Sequence, residues 1–113
     1  MYERTDKRRI YQLIEMYLSG KINESTFCYE FYCLYDLELD YDTLLEEEQT
    51  AFSELGKVAS RFSEFEEDIE KYPGTYFTKK ELKEAIIETE EKLKKYFEEL
   101  KINGDLNGDE YFK

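Results

Sequence analysis

Apolar residues recur at helical spacing in four stretches of the chain. Ile10, Leu13, Ile14, Tyr17 and Leu18 fall at i, i+3, i+4, i+7 and i+8. That spacing predicts a first helix from about Asp6 to Leu18, with Thr5 or Asp6 as its cap. Ser19-Gly20 stops it, Gly20 being free to take the left-handed conformation at the C-cap. Lys7, Arg8 and Arg9 occupy its first turn, where they oppose the helix dipole, and are read as answering acids elsewhere in the fold.

Asn23 is the expected cap of a second helix reaching about Tyr35, with Phe27, Phe31, Leu34 and Tyr35 as its inner stripe. Tyr29 and Tyr32 lie off that stripe, as boundary packing or facing a partner. From Asp36 to Asp42 acids and apolar residues alternate, but one strand of this length has no partner in the chain. The segment is expected to be an extended connection pinned by Leu37 and Leu39.

A third helix is predicted from about Thr43 to Phe62, capped by Asp42, with Leu45, Phe52, Leu55, Ala59 and Phe62 inward and Leu44 and Val58 beside them. Ser63 to Phe77 shows no sustained period, and its Tyr72-Pro73-Gly74 reads as a turn. Thr78-Lys79-Lys80-Glu81 is a capping box, in which Thr78 and Glu81 satisfy each other's free backbone donors. Behind it Leu82, Ile86, Leu93, Tyr96, Phe97 and Leu100 predict a fourth helix to about Lys101. The fold expected is all-α, an antiparallel four-helix bundle over residues 1–103, followed by a flexible acidic tail at 104–113.

At 113 residues the chain suits one domain. Eleven Tyr and eight Phe set it apart from a disordered acidic chain and leave rings available for an interface. Net charge changes the picture more. Of the formal −12, a charge of −11 falls between Asp36 and Glu70, where thirteen acids meet only Lys57 and Arg61. Charge so localised points to a face that meets something basic. It also argues against direct contact with nucleic acid or an anionic membrane, whose phosphates it repels.

With no histidine, neither a Ser-His-Asp or Cys-His catalytic arrangement nor a histidine zinc site can be built. Cys28 and Cys33, five apart on one helix, point about 140° away from each other and cannot bridge within it. They read as small half-buried side chains in a reducing compartment. The five glycines are isolated, so no phosphate-cradling loop is present. Asp105-Leu106-Asn107-Gly108-Asp109-Glu110 begins like a calcium loop, but its glycine stands at the fourth position instead of the sixth. No apolar run has the length of a membrane span and no secretory signal is evident. The expectation is a cytoplasmic binding protein, not an enzyme, that needs no cofactor.

Three stretches carry a resemblance. Tyr11-Gln12-Leu13-Ile14 through Tyr17-Leu18-Ser19-Gly20-Lys21-Ile22 leads into Asn23 to Tyr35, with Phe27 and the pair Phe31-Tyr32 at aromatic positions. Arg61-Phe62 precedes the acidic loop Ser63 to Tyr72, and Thr78 to Leu82 opens the last helix, which Ile86 and Leu93 continue. In this order of features, over roughly residues 8–100, the chain resembles the colicin D-type (self-protective colicin-like) immunity proteins, some of which accompany contact-dependent growth inhibition toxins. The resemblance implies a four-helix bundle that binds and blocks a tRNA-cleaving toxin domain.

An enzyme that binds tRNA presents a basic cleft, and a rigid row of carboxylates can take the phosphate positions of its substrate. The residues expected to do so are Glu64, Glu66, Glu67, Asp68 and Glu70, with Tyr72 as an aromatic anchor. Glu46, Glu47, Glu48 and Glu54 form a second tier. The expected partner is a cognate basic nuclease domain, bound by a monomer in a 1:1 complex across a standard interface of about 800 Å² per side. Two other classes compete: an acidic DNA mimic that occludes a DNA-binding protein, and a helical adaptor whose acids only keep it in solution.

Overall fold

The computed structural model describes residues 2–102, all-helical and without strands. The acidic tail and the calcium-like segment lie outside the described residues. The five α-helices are α1 (Arg8–Leu18), α2 (Glu24–Tyr32), α3 (Glu46–Ala59), α4 (Glu66–Lys71) and α5 (Lys79–Ile102). Helix α1 packs on α2, α2 on α3, α3 on α5, and α5 returns to α1, so the four longer helices form a ring. Short α4 lies outside that ring and buries none of its residues fully.

Local chemistry sets the helix ends. Asp6 accepts the Arg8 backbone N–H at 2.9 Å, and its carboxylate also engages the Arg8 guanidinium. That hydrogen bonding holds the Asp6 carboxyl below its usual value. At the other end of α1, Gly20 at φ 82° lets the Lys21 N–H reach the Met16 carbonyl and the Gly20 N–H reach that of Tyr17. Two otherwise open carbonyls are thereby closed off. Asn23 caps α2 by accepting the Thr26 N–H at 2.9 Å. The Thr78–Glu81 capping box is present in both directions, at 3.0 and 3.1 Å.

Three expectations need correction. The connector at Asp36 is not extended: α2 runs on as a π-helix from Cys33 to Glu38, closed by Leu39 N–H to the Leu34 carbonyl at 2.7 Å. Continued helix satisfies backbone groups that a lone strand leaves open. The wide turn rotates Leu37 outward (64% exposed), so that of the two leucines Leu39 alone is buried, and the Asp40 N–H to Thr5 carbonyl bond and the Arg4–Glu38 pair help hold the segment. Asp42 does not cap α3. It sits in a 3-10 turn at Tyr41–Thr43, and α3 starts later, with Leu45 at the cap position. Finally, the stretch read as loop holds α4, whose Glu66, Glu67 and Asp68 favour a helix N-terminus. Six residues are too few to show a period.

Aromatic rings make much of the core. Tyr11 meets Phe52 edge-on at 5.6 Å between centroids, while Phe27, Phe31 and Tyr35 stack in succession up α2. Gly56 of α3 lies under that stack; a Cβ added there would sit 3.5 Å from the Phe31 ring.

Candidate functional site

The strand-like contact Phe62–Phe77 ties both ends of the acidic segment together. Phe77 N–H donates to the Arg61 carbonyl at 2.7 Å, and Ser63 N–H donates to the Phe77 carbonyl at 3.1 Å. Residues 63–76 are therefore a lobe with a closed neck, held at the end of the ring where α3 finishes and α5 begins. Inside it, buried Ser63 accepts the Phe65 N–H and donates to the Asp68 carboxylate at 2.6 Å. The lobe closes with a turn from Tyr72 to Thr75 in which Gly74 takes φ 80°, and Tyr72 and Tyr76 meet edge-on. That φ needs a residue without a Cβ clash, which glycine supplies.

The lobe exposes Glu64, Glu66, Glu67 and Glu70, and Tyr72 is 47% exposed. Among the described residues none of these four carboxylates makes an ion pair. Several acids elsewhere are answered, Glu24 by Lys79, Glu30 and Glu38 by Arg4, Glu54 by Lys92, while exposed Asp36, Glu46 and Glu47 make no ion pair among the described residues either. What distinguishes the lobe is that it gathers four such carboxylates within seven residues. Asp68 differs from its neighbours. It is half-buried and committed to Ser63, so it braces the lobe instead of facing outward.

The second tier does not join this face. Glu46 and Glu47 are exposed in the first turn of α3, while the lobe follows its last turn. Fourteen helical residues separate these ends by about 20 Å. Glu54 is exposed and paired with Lys92 at 3.4 Å. Glu48 is a correction: it is 0% exposed and cannot meet a partner. Its Oε1 accepts from Lys7 Nζ and from the Leu45 N–H, each at 2.8 Å, and its Oε2 from the Tyr11 hydroxyl at 2.5 Å. Three donors compensate the buried carboxylate, one of them Lys7, at the N-cap position of α1.

Sequence reasoning missed Phe65, which stands 60% exposed among the lobe's carboxylates. The signal was there: an aromatic flanked by acids, in a segment with no apolar stripe to join. Between the lobe and the feet of α2 and α5 lies a notch of about 290 Å³, lined by residues including Ser25, Phe62, Glu64, Phe65 and Lys79. Ser25 Oγ donates to Glu64 at 3.2 Å across it. Cys28, on α2, has its thiol pushed up to about 12, first by burial and then by the Glu24 charge, which makes it a poor nucleophile. Among the described residues no group of three or more potential ligands is placed to hold a metal, and no helix is long and apolar enough to cross a membrane. Compared with known protein families, curated proteins and solved structures, the chain matches none.

Proposed function

We propose that this protein is an immunity protein that binds and neutralises a nuclease toxin, a tRNA-cleaving ribonuclease by the family it resembles. The observation that carries the reading is the tied lobe, which presents Glu64, Glu66, Glu67 and Glu70 unneutralised beside two exposed rings, Phe65 and Tyr72. Four carboxylates spread over one short helix and its flank can take the place of substrate phosphates in a basic cleft, and the opposite charges speed encounter. The closed neck keeps the row in place before binding, which lowers the ordering cost of association.

The ring of α1, α2, α3 and α5 is read as an antiparallel four-helix bundle, a frame that holds the lobe still. The protein acts in the cytoplasm as a monomer in a 1:1 complex, with no cofactor. Exposed Phe65 and Tyr72 add apolar anchors to the carboxylates, as a specific protein interface uses. The proposal expects a toxin gene beside this one, and the test is co-expression with the C-terminal domain of that toxin. Cells should survive when the protein is made, and death despite abundant protein defeats the proposal.

A further inference from the structure

We infer that the outer face of α2 is the second half of the same interface: an aromatic shelf, led by Tyr29 and Tyr32, on which the nuclease domain rests while the lobe occupies its basic cleft. This rests on the immunity reading and deepens it. Tyr29 is 67% and Tyr32 51% exposed, unusual for rings in a fold that buries five others almost completely. Ser25, Tyr29 and Tyr32 stand at i, i+4 and i+7, so they share one stripe of α2. The foot of that stripe is fixed to the lobe by the Ser25–Glu64 hydrogen bond. One helical turn, about 6 Å, then separates Ser25 from Tyr29. Shelf and lobe are therefore one continuous surface.

Charge supports the same division of labour. Of the acids of this segment Glu24 is paired with Lys79 and Glu30 with Arg4, which leaves Asp36, exposed beyond Tyr32, as one unpaired carboxylate against the four of the lobe. The shelf is therefore less charged than the strongly negative lobe. Specific interfaces pair a desolvated aromatic patch with a charged periphery, and the rings hold the complex once charge has steered it. The occupant that suits such a surface is a protein with a basic cleft bordered by an apolar ledge. A bare polyanion or a uniformly basic peptide would leave the shelf uncovered.

The experiment measures binding of the neighbouring toxin's nuclease domain to three full chains: the unmodified protein, the pair Tyr29→Ala with Tyr32→Ala, and the triple Glu66→Lys, Glu67→Lys, Glu70→Lys. Thermal unfolding is followed alongside. The aromatic pair should weaken binding about tenfold or more with its melting temperature and salt dependence unchanged, whereas the charge triple should weaken binding and flatten the salt dependence. If the charge triple weakens binding and the aromatic pair does not, the shelf is overturned and the immunity reading stands. The shelf is also overturned if the unmodified chain dimerises in sedimentation and the aromatic pair abolishes it, since the face then belongs to a second copy. If the unmodified chain does not bind the domain, the immunity reading fails and the shelf falls with it.

Discussion

Tyr11 of α1 and Glu48 of α3, 37 positions apart in the chain, meet in the core with the phenol donating to the carboxylate at 2.5 Å. With Lys7 and the Leu45 N–H this contact fixes the start of α3 against α1. Glu48→Leu removes the carboxylate that the Tyr11 hydroxyl, the Leu45 N–H and the Lys7 ammonium share in the core, and should cost about 3–5 kcal/mol. Tyr11→Phe removes only one donor and should cost about 1–3 kcal/mol. Urea unfolding of both variants and of the double variant measures the coupling. A strictly additive double variant contradicts the contact.

Two glycines should respond in opposite directions. Gly56→Ala places a methyl at ordinary contact distance from Phe31 and Tyr35 and removes helix-interior flexibility, so it should stabilise by about 0.5–1 kcal/mol. Gly20→Ala forces a side chain into φ 82° and should destabilise by about 1–2 kcal/mol. Thermal melts of the two variants, taken with the unmodified chain, should move in opposite senses.

Alkaline stability follows from Tyr17. Burial first, then a hydrogen bond with Glu24, raises its hydroxyl to about 12 from the ordinary 10. The folded value lies above the unfolded one, so the contribution of the neutral phenol is complete below pH 10 and is lost as pH rises towards 12. Unfolding free energy measured from pH 9 to 12 should fall through this window, and Tyr17→Phe should flatten part of the fall. Over the lower part of the same range the Cys28 thiol should alkylate slowly in the folded chain and quickly in urea.

Within the lobe, structure and recognition should separate. Asp68→Ala removes the acceptor of buried Ser63 and should loosen residues 63–76, read as faster amide exchange at Phe65 and Tyr72. Glu66→Gln and Glu67→Gln touch no internal partner and should leave that exchange unchanged while weakening association.

The features legible in the sequence were those fixed by near neighbours. Asn23, Gly20 and the Thr78–Glu81 box act within three or four residues, and the core stripe of α5 repeats over many turns. Glu48 was not legible. It sits in a run of three glutamates, and its burial depends on Lys7 and Tyr11, 41 and 37 positions away. The alternation at Asp36–Asp42 was misleading in another way, because a π-helix breaks the 3.6-residue period that marks ordinary helix. Of the candidate site residues, Glu64, Glu66, Glu67, Glu70, Tyr72, Glu46, Glu47 and Glu54 stand exposed, whereas Asp68 is half-buried and Glu48 buried. Phe65 and the link from Ser25 to Glu64 needed the closed neck, which joins segments that no local pattern relates.

The central claim is that the unneutralised lobe meets a basic nuclease cleft. Its most direct test is the dissociation constant for the neighbouring toxin's nuclease domain, measured from about 0.05 to 0.5 M salt for the unmodified chain and for the Glu66→Lys, Glu67→Lys, Glu70→Lys variant. The unmodified chain should bind with an affinity on the order of nanomolar at low salt and weaken steeply as salt rises, while the variant binds at least about a hundredfold more weakly with a flatter dependence. Binding by the variant that matches the unmodified chain and persists at high salt would contradict the claim.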